Sequence, residues 1–167
     1  MRVYVPLTLS RLAQVHKDGQ IGPAPLTAYA VTPGLREWYL SGNEEELEYA
    51  ALSRAAQSSL RLLAIDPTVP RRRVVVAADV PDRTAVADPD RALEPDALGE
   101  VRLTEPVPLA VLAAVHVDAP DAEPDVTAAA AAVGAADLGD DDARFTVDGA
   151  ADHELLWYGV QEIDSLV

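Results

Sequence analysis

The sequence predicts an α+β fold: a single domain over residues 1–167, with a mixed or mainly antiparallel sheet and helices mainly on one face. Three observations carry this. Strand-like and helix-like segments follow one another in the rough order βαβααβ, a long connection, then ββαβ, which is too irregular for repeated βαβ units. The composition, 49% hydrophobic and 25% charged, is that of a globular chain. A chain of 167 residues can bury roughly 70% of its unfolded surface around one core.

Val3, Val5 and Leu7 alternate with Arg2, Tyr4 and Pro6, the period of a half-buried strand. Thr8 then caps a helix through Leu9, Leu12, Ala13 and Val15, which Gly19 stops. After Gly22-Pro23-Ala24-Pro25, the run Leu26 to Val31 is strand-like. Thr32-Pro33 supplies an N-cap followed by proline at the first helical position, and Leu35, Trp38 and Tyr39 are expected to share one face of the short helix. Ser41-Gly42 ends it.

Asn43 and Glu46 approximate a capping box, and Glu44, Glu45 and Glu46 suit the positive end of a helix. Tyr49, Leu52, Ala56, Leu60 and Leu63 form the expected apolar stripe, and Ala50, Ala51, Ala55 and Ser59 permit close approach to a sheet. Asp66-Pro67 terminates this helix. Beyond Arg71-Arg72-Arg73, the run Val74 to Val80 is rich in β-branched residues, as a strand covered on both faces requires.

Residues 81–98 are rich in Pro and Asp and predict a long loop. Val101 and Leu103 suggest a short strand, Pro106-Val107-Pro108 a turn, and Leu109 to Ala113 one helical turn before a strand at Ala114 to Val117. From Asp121 to Asp137 the Ala-rich segment has high helix propensity, with Asp121 as its cap. Gly139-Asp140-Asp141-Asp142 breaks that helix; Arg144 to Val147 is expected as a short strand, with a turn or helix start at Asp148-Gly149. Aromatic and β-branched content tips residues 154–163 towards strand.

Charge is distributed unevenly. Residues 1–102 hold 14 acids against 12 bases, and residues 103–167 hold 14 acids against Arg144 alone, so the second part carries −13 of the net −15. Such a surface disfavours phosphate backbones and anionic lipid and favours basic proteins. Nucleic acid and membrane are therefore not expected as partners. Without cysteine there is no disulfide, thiolate zinc site or thiol nucleophile. No apolar run is long enough for a signal core or a membrane span, and a cytoplasmic protein is expected.

No G-x-S-x-G elbow, P-loop or G-x-G-x-x-G occurs, and no cofactor or metal is expected. The weak catalytic candidates are His116 and Asp118, two apart on one strand face, and His153 between Asp152 and Glu154. Together they could form two imidazoles and a carboxylate for metal-assisted or acid-base chemistry, if the sheet brought them together. The acids Asp140-Asp141-Asp142 fail as a calcium loop, with Phe145 at position 6 and Ala151 at position 12. Arg71, Arg72 and Arg73 are expected to pair internally with the acidic part or to be solvated. Trp38-Tyr39 and Trp157-Tyr158 can each turn one ring inward and one outward, which makes all four candidate interface anchors.

Arg2-Val3-Tyr4-Val5-Pro6, Ala28 to Pro33 with Leu35-Arg36-Glu37, Glu45 to Ala51, Arg72-Arg73-Val74-Val75 and Leu155-Leu156-Trp157-Tyr158 together resemble a family of uncharacterised actinobacterial proteins, a domain of unknown function. The resemblance implies a cytoplasmic actinobacterial origin and one folded domain, and it supplies no catalytic residue. The sequence thus favours a non-enzymatic binding or regulatory protein whose partner is a basic protein or a second copy of itself. The competing expectation is a small enzyme using His116, Asp118 and His153.

Overall fold

The structure, a computed structural model, describes residues 1–167. Nine strands and six helices follow one another as β1 (Arg2–Leu7), α1 (Leu9–Asp18), β2 (Gln20–Ile21), β3 (Leu26–Ala30), α2 (Pro33–Trp38), α3 (Glu44–Ile65), β4 (Val74–Asp79), β5 (Ala85–Val86), β6 (Glu100–Leu103), β7 (Val107–Pro108), β8 (Leu112–Asp118), α4 (Glu123–Asp137), α5 (Asp141–Ala151), β9 (Leu155–Tyr158) and α6 (Ile163–Leu166). Seven strands form one sheet in the order β5-β6-β3-β1-β4-β8-β9, and β2 pairs with β7 separately. Every pairing is antiparallel. The fold is α+β.

The sheet centre is covered on both sides. Val3, Val5 and Leu7 of β1 join Val74 and Val76 of β4, Val115 and Val117 of β8, Leu12 and Val15 of α1, and Ile163 of α6 in one core. The opposite faces of the same strands give Tyr4, Val75, Ala77 and Ala114 to a second core beneath α3, with Leu47, Ala51 and Ala55. The longest helices lie on this second side. The hairpin of α4 and α5 stacks on α3 through Val126, Ala129, Val133 and Ala150 against Leu60 and Leu63.

Local chemistry explains the boundaries. Thr8 accepts a hydrogen bond from the Arg11 N–H and opens α1, and Gly19 closes it at φ 77°, where its N–H reaches the Val15 carbonyl. Thr32 and Asn43 cap α2 and α3 through the N–H groups of Leu35 and Glu46. Gly34 admits the chain of the 81–98 segment, since a Cβ there would lie 2.2 Å from the Ala92 carbonyl oxygen.

Several elements differ from expectation. Strand β1 is buried on both faces, so Tyr4 and Pro6 are not its solvent side. In helix α3 Ala56, Leu60 and Leu63 of the predicted stripe are buried, as are Ala51, Ala55 and Ser59, the small residues expected to permit close approach; Leu47 joins them, whereas Tyr49 is exposed and Leu52 only half-buried. Leu35 is buried, whereas Trp38 and Tyr39 are exposed and do not share its face. Pro106-Val107-Pro108 supplies β7 rather than a turn, because β2 offers it a partner. Residues 81–98 contain the edge strand β5 and two 3₁₀ turns within the long connection.

The acidic part holds the remaining corrections. Asp121 lies in a 3₁₀ turn and does not cap α4, whose N-cap is Ala122 without a side-chain bond. Arg144 to Val147 are helical, and Asp148-Gly149 is the interior of the same helix. Asp140 starts α5 by accepting from the Ala143 N–H, with Asp141 and Asp142 in its first turn.

Candidate functional site

Strands β8 and β9 place the singled-out residues on a common register. His116 lies opposite Val75 on one side and Trp157 on the other, and Asp118 lies opposite Leu155. Directly paired residues share a face, so His116, Asp118, Leu155 and Trp157 all project to the side covered by α3.

Asp118 is committed to structure. Its Oδ2 accepts from the Arg73 backbone N–H at 2.8 Å and from Arg73 Nε at 2.8 Å, and its Oδ1 accepts from Arg73 Nη2 at 2.7 Å. Both partners are buried, at 4% exposure for Arg73 and 0% for Asp118. Arg73 Nη2 also donates to the His153 carbonyl, and Arg72 Nε donates to the Asp118 carbonyl. The expected internal pairing of the arginine cluster is therefore present. It ties β4, β8 and the turn before β9 together.

The two imidazoles go elsewhere. His153 Nε2 lies 2.7 Å from Asp125 Oδ2 on α4, and only the backbone of His153 approaches Arg73. His116 is partly buried in β8, and burial, reinforced by the Arg2 charge, holds its pKa below the usual imidazole range. No three His, Asp or Glu side chains converge where they could hold a metal ion. His116, Asp118 and His153 share a neighbourhood but not a site.

The lowered pKa of His116 has a pH signature. An imidazole that protonates less readily when folded gives the unfolded chain the greater proton uptake, so stability is held above the unfolded pKa of about 6.5 and declines as pH falls below it. Urea midpoints at neutral and mildly acidic pH should converge in His116→Gln relative to the unsubstituted protein. An unchanged acid slope in the variant would contradict this assignment.

The aromatic candidates differ in exposure and lie on separate elements. Trp157 is 63% exposed and Leu156, on the opposite face of β9, is 44% exposed, whereas Tyr158 packs against the core beneath α1. Tyr49 of α3, also exposed, brings its hydroxyl to Glu154 just before β9. At the end of α2, Trp38, Tyr39 and Leu40 are exposed together. Sequence reasoning missed Tyr49, Leu40 and Leu156. The N-terminal acids of α3 and its caps locate the helix but leave its rotation open, and a two-sided apolar strand does not say which edge is free.

Strand β9 is the last strand of the sheet. Its four residues are Leu155, Leu156, Trp157 and Tyr158, with no charge, proline or bulge, and alternate main-chain groups point away from β8 without a backbone or side-chain partner. Such an edge is a template for another chain.

By its fold and its surface the molecule is an α+β protein with an open apolar sheet edge beside an acidic helical hairpin. Residues 1–167 match the model of a family of unknown function (DUF6912), and the chain belongs to that family. No curated protein and no solved structure matches it. No helix is long and apolar enough to cross a membrane.

Proposed function

We propose that this chain is a non-enzymatic binding or regulatory protein of the actinobacterial cytoplasm that acts through protein contacts. The observation that carries the reading is the exposed Trp157 on the free edge strand β9, accompanied by Leu156 and Tyr49. Tryptophan and tyrosine dominate the energetics of protein interfaces, because they bury a large rigid surface at small entropic cost. Trp38, Tyr39 and Tyr158 are secondary anchors. The preference for Arg, 12 against the single Lys17, supports the proposed origin.

The partner is a basic protein, steered by the −13 carried on residues 103–167; a second copy of the chain is the alternative. An enzyme using His116, Asp118 and His153 has less support, since Asp118 is saturated by Arg73 and the His153 ring is held by Asp125. Affinity purification from native lysate at low salt should recover a stoichiometric partner, and Trp157→Ala should weaken it by about 2 kcal/mol or more, roughly thirtyfold. Equal recovery by the variant would remove Trp157 from the contact. Concentration-dependent size-exclusion chromatography separates a second copy from a foreign partner.

A further inference from the structure

We infer that β9 receives an extended basic segment of another protein as an eighth strand of the sheet; the inference rests on the protein-contact reading above and specifies its mode. Three features of the edge point to main-chain recognition. The sheet has two free edges, and they are built differently. At one end β5 has only two residues, Ala85 and Val86, and runs into 3₁₀ turns on either side. At the other end β9 has four consecutive uncharged residues in regular register with β8. Proteins ordinarily blunt such edges with lysine, proline, a bulge or a covering loop. None of these devices lies within β9.

The side chains on the two faces of β9 complete the recognition surface. Trp157 projects from the α3 face of β9, on the side where the Tyr49 hydroxyl reaches Glu154, and Leu156 offers an apolar contact on the other face. An incoming strand alternates its side chains across these two faces, so main-chain hydrogen bonds supply affinity and the flanking contacts supply selectivity.

Charge decides between occupants. The strand is bracketed by Asp152 and Glu154 before it and by Glu162 and Asp164 after it, all exposed, and Arg144 is the only base beyond residue 102. A second copy pairing edge to edge would bring the same acids against themselves. Opposed like charges across paired strands are destabilising. A segment with Arg or Lys at both ends and a β-branched centre meets the acids at each end and the apolar faces between them.

The test uses the full chain with Trp38→Phe, which leaves Trp157 as the sole tryptophan, and a synthetic peptide with a Val-Thr-Val-Thr-Val centre flanked by arginines. Two companions are made: one with glutamate flanks, and one with the arginine flanks but alternate backbone nitrogens methylated, so that charge is kept and main-chain donors are removed. The arginine peptide at millimolar concentration should shift Trp157 fluorescence and slow exchange of the outward β9 amides at least tenfold, the glutamate peptide should do neither, and methylation on the bonding edge should cost roughly tenfold or more in affinity. Absence of binding by the arginine peptide overturns the inference. So does equal binding of the methylated peptide; if Trp157→Ala then still abolishes binding, a side-chain contact survives as the protein-contact reading while strand addition is lost. Protection of the β9 amides by raising the protein concentration alone, without peptide, would show that a second copy covers the edge and would likewise overturn it.

Discussion

Replacing Asp118 with alanine is expected to destabilise the fold by about 3–5 kcal/mol, the loss typical of a buried pair deprived of one partner. The carboxylate accepts three hydrogen bonds from Arg73, all between 2.7 and 2.8 Å; Asp118 is fully buried and Arg73 nearly so. With Asp118→Ala the guanidinium stays in place with the His153 carbonyl as a remaining acceptor, and no anion compensates its desolvation. The Arg73 N–H loses its acceptor as well. An exposed pair such as Arg83 with Glu105 should by contrast contribute at most about 1 kcal/mol.

The cost belongs to the stranded charge, so a double variant with Arg73→Met and Asp118→Leu should recover most of the loss, as apolar replacement of buried pairs commonly does. Urea denaturation gives the comparison, with the midpoint falling and the slope preserved for the single variant. A loss below about 1 kcal/mol for Asp118→Ala would show that the pair is effectively solvated. The consequence reaches β9, because Arg73 holds the turn that leads from α5 into that strand. Amide exchange in β9 should therefore accelerate more in Asp118→Ala than exchange in β3.

What the sequence reveals of this fold follows from how local the responsible forces are. Strand β4 is legible because five consecutive small or β-branched residues suit a strand covered on both faces, and α1, α2 and α3 are legible because Thr8, Thr32 and Asn43 cap them within three residues. The exposure of Tyr49 in α3 is not local. A hydrophobicity pattern counts Tyr49 with Ala56, Leu60 and Leu63, but Ala51 and Ala55, whose lack of bulk lets the helix come close, bring Leu47 to the sheet and leave Tyr49 outside. In α5 the strand propensity of Phe145, Thr146 and Val147 predicts a strand at residues 144–147, but the cap at Asp140 and the acids in the first turn prevail, leaving Phe145 exposed on the helix surface.

The candidate site shows the same division. The His116 and Asp118 spacing correctly places two side chains on one face, but it cannot show that Asp118 is taken by an arginine 45 residues earlier. The triple arginine at the entrance to β4 was the available sign of that pairing. The acidic half is likewise not a uniform solvated surface: Asp118 is buried, Asp125 holds His153, Asp137 pairs with Arg61, Asp140 caps α5 and Glu162 accepts from the Gly159 N–H. Beside β9, Asp152 and Asp164 are exposed without an ion-pair partner and Glu154 meets only the Tyr49 hydroxyl, so the open edge lies in a negative field.

Ser59→Ala is the second substitution with a large expected effect, although serine to alanine inside a helix normally favours the helix slightly. Ser59 sits in the middle of α3 at 0% exposure. Its hydroxyl donates to the Leu7 carbonyl at 2.7 Å and accepts from the Val74 N–H at 3.0 Å. Those two groups lie where β1 and β4 end their shared ladder, at the pair Leu7 and Val74. Alanine leaves both groups buried without this partner, at about 1–3 kcal/mol for each one left unsatisfied. Ser53→Ala, on a half-buried position of the same helix, should stay within about 0.5 kcal/mol of the parent. Urea melts of the two variants side by side separate the effect of the hydroxyl from that of helix propensity. Faster exchange of the Val74 amide in Ser59→Ala alone would place the loss at the junction of α3 with the sheet, whereas equal stability of the two variants would mean that water replaces the hydroxyl there.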